Sequence, residues 1–193
     1  LGGLSEDQLA FLRDERDYRN PTLAELPLRK GGADFADTVL RNLLLAAWLL
    51  LHWQRLQASR DAELAAIAGK AVKEARYHLE HAADWVVRLG DGTDESAARM
   101  QAALQRAWPY VAELFSDDAV DETAAASGLG PRCSELRADW DALLAPVWAD
   151  AKLAPPAPVA FRSHGRQGRH SEHMGPLLAE MQVLQRSFPG GAW

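Results

Sequence analysis

The stretch DFADTVLRNLLLAAWLLLHWQRLQA, residues 34–58, decides the fold of this 193-residue chain. Apolar side chains recur near helical spacing at Phe35, Val39 and Leu43, and further leucines and alanines fill the other sides of the same helix. A helix that is apolar all round is buried by its neighbours. The nine-residue apolar run from Leu43 to Leu51 is too short to cross a bilayer. The stretch therefore predicts a central helix in the core of an all-α protein.

Helical patterns also flank this stretch, and we find no credible strand pair and no internal repeat. Ser5 and Asp61 are suitable N-caps, and Gly90 and Gly128 are suitable C-terminal glycines. The sequence thus predicts one domain over residues 1–193, built as a bundle of long antiparallel helices. The further predicted helices are residues 5–18, 61–90, 94–115 with a kink at Pro109, 118–126, 131–151 and about 171–187, with a loop at Pro27 and Gly31-Gly32 and an extended connector at about 154–169.

Composition and charge narrow the class of protein. The net charge of −6 argues against a general nucleic-acid binder. The single cysteine, Cys133, cannot form an internal disulfide, which suits a reducing cytoplasm and an incidental buried thiol. We see no secretory signal and expect no membrane partner. Because the sequence starts at Leu1 rather than Met, we expect that natural N-terminal sequence is missing from it.

The stretch KAVKEARYHLEH, residues 70–81, has the residue types of a helical metal site. Two-metal helical bundles use Glu-x-x-His motifs, in which residues three apart share one helix face, and the chain contains no such motif. The helix between Asp37 and Asp61 also contains no carboxylate. Two divalent cations would remain uncompensated in such a core. We therefore interpret Glu74 and His78 as a polar pair one helical turn apart, and expect no bound metal.

A second histidine pair, His170 and His173, lies at the start of the last predicted helix. His170 or Ser171 could cap that helix. A zinc site here would need further ligands, which the sequence does not identify.

Four segments carry a resemblance to a known family: AFLRDERDYRNP, ADFADTVLRN, AGKAVKEARYHLEHAADWVVRLGDGTDES and HSEHMGPLLAEMQVLQRSFPG. They are similar to the C-subunit family of bacterial phenylacetyl-CoA 1,2-epoxidase, a multicomponent monooxygenase of aerobic phenylacetate degradation. The resemblance extends over nearly all of the chain. It implies a ferritin-like fold, in which two further helices precede the position of Leu1.

The resemblance also implies a degenerate metal site. In the catalytic A subunit of such an epoxidase, a Glu-x-x-His motif aligns with its glutamate on Ala75 and its histidine on His78, and a mid-helix carboxylate falls near Ala46. This chain would then hold no catalytic residue, no metal and no cofactor. The di-iron site is expected in the partner A subunit.

The function implied by the resemblance is that of a non-catalytic structural subunit in the cytoplasm. It would stabilise the A subunit, assemble with further subunits including a reductase, and serve the conversion of phenylacetyl-CoA to its ring epoxide with oxygen and NADPH. Seven tryptophans suit a large interface, although a core explains them equally well. The resemblance implies contact with the CoA part of the substrate at Asp17, Tyr18, Arg19, Asn20, Glu122, Thr123 and Ala124.

Alternatives stay open at this point. The charges around Arg13, Arg16 and Arg19 are also typical of a solvated helix. The chain could be a free-standing ferritin-like metal-dependent oxidase with an unusual ligand set. It could also be a helical oligomer that binds another acyl-CoA. Metal content and co-purification with a catalytic subunit distinguish these interpretations.

Overall fold

The computed structural model describes residues 3–26 and 34–191. Over these residues the chain forms no β-strand, and an isolated bridge between His164 and Arg169 is the one pairing of extended backbone. The predicted all-α, ferritin-like class is confirmed. The helices are α1 (Glu6–Phe11), α2 (Thr22–Glu25), α3 (Phe35–Leu56), α4 (Ala62–Gly90), α5 (Asp94–Ala107), α6 (Ala119–Ser127), α7 (Arg137–Asp150) and α8 (Met174–Ser187), with 3-10 segments at Glu15–Asp17, Trp108–Phe115, Cys133–Leu136 and Gly165–Gln167.

These elements form two compact units, which we describe separately. The central unit consists of residues 34–162 and contains α3 to α7. The terminal unit combines residues 3–26 with residues 163–191 and contains α1, α2 and α8. The prediction of one domain over residues 1–193 stays a prediction.

The central unit is built around α3, as the sequence predicts. Asp34 caps the helix through a reciprocal pair of hydrogen bonds with Asp37, each from a main-chain N–H to a carboxylate, at 3.0 and 3.2 Å. The helix packs against α4, α5 and α7. Trp140 of α7 is fully buried, and its indole N–H donates to the Leu44 carbonyl at 3.2 Å. The burial is not all round, because Phe35 and Leu49 remain 52% and 40% exposed.

A buried ion pair joins α3 to α5. The Asp37 side chain is 0% exposed, and its Oδ1 accepts hydrogen bonds from Arg106 Nε at 3.1 Å and Nη2 at 2.5 Å. Arg106 keeps 35% of its side chain exposed. The carboxylate therefore serves two purposes, since it caps α3 and fixes α5 beside it.

Two predicted helices end differently from expectation. The first ends at Phe11 rather than near Tyr18, although Ser5 caps it as predicted. The fourth ends at Ala107 and continues as a 3-10 segment through Phe115, because Pro109 removes a main-chain donor there.

Gly90 is the last residue of α4, as predicted, and its backbone remains helical rather than left-handed. A Cβ on this residue would lie 2.9 Å from the Cβ of Ala151, closer than real Cβ contacts come. The glycine therefore permits close packing between the end of α4 and the segment after α7. Gly128, in contrast, adopts the left-handed conformation after α6 with φ of 71°, as expected for a helix-ending glycine.

The terminal unit corrects the predicted core face of the last helix. In α8, Met174, Leu178 and Gln182 are buried, whereas Leu177 and Leu184 are 39% and 51% exposed. Met181, at 41%, is exposed as well. The helical spacing of Met174, Leu177, Leu178, Met181 and Leu184 predicts one core face for this helix, and that prediction was wrong. The helix α2 also lies directly after Asn20-Pro21, where the sequence predicts that a loop begins.

Some predicted features lie outside the described residues. These are Leu1, the loop at Pro27 and Gly31-Gly32, and Trp193. Among the described tryptophans, Trp140 and Trp148 are buried, as a core role requires.

Within residues 3–26 and 34–191, one helix has the length and composition of a membrane span. It is α3, with 22 residues, and half of its most apolar stretch is buried inside the chain. The core helix of a soluble protein has the same properties, and that interpretation agrees with the packing of α3 in the central unit.

Candidate functional site

A groove between α3 and α4 brings the predicted degenerate site together. Ala46 of α3 and Ala75 and His78 of α4 all line it, and its volume is about 410 Å³. Ala75 and His78 are three residues apart and so share one face of α4, and α3 packs against that helix. The other lining residues are Phe35, Thr38, Val39, Asn42, Leu45, Leu49, His81 and Ala82.

The groove lacks the chemistry of a two-metal site. No carboxylate stands among the described residues that line it, and Ala46 and Ala75 present buried methyl groups. The imidazoles of His78 and His81 are the metal-ligating groups of this lining. Two neutral imidazoles supply neither the ligand number nor the negative charge that a pair of divalent ions needs. The residues present therefore do not fit a di-iron centre.

His78 itself is directed to the surface. Its side chain is 59% exposed, and its Nε2 lies 3.5 Å from a carboxylate oxygen of Glu74. This is the polar pair one turn apart that the sequence indicates. Tyr77 lies next to it, 64% exposed, with its ring stacked on that of His81. An exposed pair of this kind stabilises a helix by only a few tenths of a kcal/mol, about 0.3–0.5 kcal/mol.

The rim of the groove is apolar and open. Phe35 packs edge-on against Trp85 with ring centroids 5.0 Å apart, yet it remains half exposed. Leu45 is half-buried and Leu49 is exposed on the same face of α3. Clustered exposed apolar side chains of this kind mark interaction surfaces in many proteins. The groove can therefore receive the apolar face of another helix.

The predicted contact residues Asp17 to Asn20 lie in the terminal unit. Asp17 accepts a hydrogen bond from a nearby main-chain N–H at 3.3 Å, and the Tyr18 hydroxyl donates to a main-chain carbonyl at 2.6 Å. The Asn20 amide donates to Glu25 at 3.3 Å. Arg19 is exposed, and its guanidinium donates to main-chain carbonyls at 2.6 and 3.2 Å. Its positive charge is thus held in place by neutral groups and can meet an anion.

The predicted residues Glu122, Thr123 and Ala124 lie on α6 in the central unit. The Glu122 carboxylate accepts two hydrogen bonds from Nε of Arg132, at 2.9 and 3.0 Å, and Nη2 of Arg132 forms an ion pair with it at 2.8 Å. These bonds, the charge of Glu122 and the nearby Glu135 raise the pKa of Arg132 above its usual range. The Thr123 hydroxyl donates to a carbonyl one turn earlier at 2.7 Å. Most polar groups of this segment are therefore already engaged within the chain.

A further cluster of ligating groups surrounds the buried Cys133. Its sulfur and the carboxylates of Asp117 and Asp121 lie within 4.8 Å of one another. Asp117 accepts from the main-chain N–H and the hydroxyl of Ser134, at 2.9 and 2.5 Å. Asp121 accepts the main-chain N–H of Asp118 at 3.0 Å. Capping and turn formation account for these carboxylates.

Sequence reasoning missed a buried polar cluster in the terminal unit. His170, expected as a helix cap, instead contacts Glu25, which lies 145 residues earlier. The side chains are 0% and 1% exposed. Neither residue type nor spacing signals a contact over such a separation, so only the folded structure reveals it.

Comparison with known proteins supports the resemblance seen in the sequence. The whole chain, residues 1–193, matches the family model described as phenylacetic acid catabolic protein. It is also 45% identical over 188 residues to a protein of Escherichia coli (strain K12), the C subunit of 1,2-phenylacetyl-CoA epoxidase. That alignment covers 97% of this chain and 74% of the relative. The predicted resemblance is thereby confirmed.

Proposed function

The chain belongs to the phenylacetic acid catabolic protein family, and from this membership we propose that it is a non-catalytic structural subunit of a multicomponent phenylacetyl-CoA 1,2-epoxidase. In this proposal the chain stabilises a partner A subunit that carries the di-iron site. The partner activates oxygen, and a separate reductase supplies electrons from NADPH. The assembly works in the cytoplasm.

The observation that carries the proposal is the composition of the α3–α4 groove. Ala46, Ala75 and His78 lie together, as aligned ligand positions should, but two of the three side chains are methyl groups. A catalytic site would place charged ligands here. An apolar lining instead favours packing against another protein surface, because burying apolar area is favourable and needs no charge compensation.

The groove has dimensions that suit a helix. On α3 its lining extends from Phe35 to Leu49, which corresponds to roughly 20 Å at the helical rise per residue. The small side chains of Ala46, Ala75 and Ala82 lie in its lining and allow a helix backbone to approach closely. Phe35 and Leu49 at its rim would then be buried by the partner. The chain would in this way fix the position of helices in the catalytic subunit.

Contact with the CoA part of the substrate belongs to the same proposal. The exposed guanidinium of Arg19 could meet a phosphate of CoA, with Asp17, Tyr18 and Asn20 fixed around it by the hydrogen bonds described above. The second proposed contact, Glu122 to Ala124, would act through the partly exposed Glu122–Arg132 pair.

Co-expression with the catalytic A subunit tests the proposed role. We expect a stable complex in which iron co-purifies with the A subunit, and a chain that, purified alone, contains no stoichiometric iron and supports no turnover. Native mass and metal analysis measure both. Stoichiometric iron or manganese with turnover by this chain alone would establish the oxidase alternative. Binding of several acyl-CoA thioesters without any complex would favour the helical acyl-CoA-binding oligomer.

A further inference from the structure

The terminal unit contains a fully buried pair of ionisable side chains. Nδ1 of His170 lies 2.9 Å from Oε1 of Glu25, and the two side chains are 0% and 1% exposed. Removing ionisable groups from water is unfavourable unless their hydrogen bonds are satisfied. The protonation state of this pair therefore follows from the groups around it.

Donors surround the Glu25 carboxylate. Its Oε2 accepts the main-chain N–H and the hydroxyl of Ser171, at 2.9 and 3.0 Å. Its Oε1 accepts from the Asn20 amide at 3.3 Å and also lies next to His170. A carboxylate with three donors besides the imidazole is stabilised in its ionised form.

Both nitrogens of the His170 ring face oxygen acceptors. Nδ1 faces the Glu25 carboxylate, and Nε2 lies 3.2 Å from the main-chain carbonyl oxygen of Tyr18. A neutral imidazole has only one N–H and would leave one buried oxygen facing a nitrogen lone pair. The imidazolium satisfies both contacts. With Glu25 ionised by its other donors, both contacts are satisfied by the doubly protonated ring.

We propose that charged His170 and Glu25 form a latch that closes the terminal unit by holding residues 18–25 against residues 165–171. The imidazolium fixes the chain at Tyr18 and at Glu25 together, and Glu25 in turn fixes Ser171. Close main-chain packing supports the latch. The Gly165 N–H donates to the Thr22 hydroxyl at 3.1 Å.

The latch is a conformational device, because the loss of either charge releases several contacts at once. Neutral His170 loses one of its two bonds, and protonated Glu25 carries an O–H on one of the two oxygens that accept from Ser171 and Asn20, which weakens those contacts. Breaking a buried ion pair by removing one partner is strongly unfavourable. Residues 18–25 are then freed to exchange with solvent. These contacts lie within the terminal unit and do not depend on the proposed subunit role.

The first test is nuclear magnetic resonance of the imidazole ring in the full, unaltered chain at neutral pH. We expect two N–H protons on His170 and nitrogen shifts typical of an imidazolium. A single N–H, with the shifts of a neutral tautomer, would overturn the proposal. Because this measurement needs no variant, it remains decisive even where a substitution prevents folding.

Hydrogen exchange of the Ser171 amide supplies the second test. We expect Glu25→Gln and His170→Gln each to accelerate it by about 100-fold, while amides in the middle of α3 keep their protection. His173→Gln is the matched control, since His173 is 37% exposed and lies 3.9 Å from the exposed Glu172. Equal exchange in the His170 and His173 variants would show that no latch exists.

Discussion

Replacing two neighbouring leucines of α3 with alanine compares how tightly side chains are packed in the core of the central unit and in the groove between α3 and α4. Leu44 is 0% exposed, whereas Leu45 is half-buried and lines the groove. Leu44→Ala removes fully buried methyl groups and leaves a cavity, and it should lower the free energy of unfolding by about 2–5 kcal/mol. Leu45→Ala removes side-chain atoms that are already partly hydrated, and it should cost about 1 kcal/mol.

The Leu44→Ala and Leu45→Ala variants form a matched pair. Both substitutions change leucine to alanine at adjacent positions in the middle of one helix, so the change in helix propensity cancels. Urea unfolding followed by far-UV circular dichroism gives both free energies. Equal losses at Leu44 and Leu45 would refute the reasoning, because they would show that the groove face is as tightly packed as the core.

A charge at the same groove position extends this prediction to the proposed function. We expect Leu45→Asp to leave the isolated chain helical, because the carboxylate can reach water, and to abolish assembly with the catalytic subunit, because the carboxylate would be buried there unpaired. Size-exclusion chromatography of the co-expressed pair measures this. Normal assembly of the Leu45→Asp chain would place the partner surface elsewhere.

The remaining predictions concern an ion pair, a glycine and a histidine. Arg106→Ala leaves the buried Asp37 carboxylate unpaired and should cost about 3–5 kcal/mol in urea unfolding. Arg99→Ala should cost less than about 1 kcal/mol, because its short ion pair, with Glu95, is exposed. An Arg106 variant as stable as the Arg99 variant would contradict this. Gly165→Ala should destabilise the terminal unit by about 1–3 kcal/mol, measured by amide exchange of its residues, because a Cβ would overlap the main chain of residues 20–22; unchanged exchange would argue against this close approach. His78→Ala should leave epoxidase activity of the reconstituted complex largely intact, and a total loss with normal assembly would assign the imidazole a role in the reaction.

Local sequence signals predicted the framework of the central unit well. Asp34 and Asp61 begin α3 and α4 as N-caps, and Gly128 ends α6 in the left-handed conformation. These features depend on residues within one helical turn of each other, so periodicity and capping chemistry suffice. The meeting of Ala46 with Ala75 could also be anticipated, since the resemblance aligns both positions with ligands of one site.

The failures have a common physical origin in long-range contacts. The apolar stripe of α8 gave no indication that Gln182 would be buried while Leu184 would be exposed. Gln182 is buried because its amide donates to the Arg13 carbonyl at 2.8 Å, a contact across 169 residues. The Glu25–His170 pair was missed for the same reason. Burial of polar side chains depends on partners that only the folded chain provides.

Under the proposed function, the absence of carboxylate ligands from the groove and its use as an interface are connected. Where two carboxylates and two imidazoles face each other without metal, like charges repel and desolvation is unfavourable. A methyl group, such as that of Ala46 or Ala75, in place of a carboxylate removes both the charge repulsion and the cost of desolvation. It leaves apolar surface whose exposure to water is unfavourable. Burying that surface against a partner lowers the free energy of the assembly. The substitutions that remove a metal site therefore also favour protein–protein packing, and one groove composition accounts for both the absent ligand set and the proposed attachment to a catalytic partner.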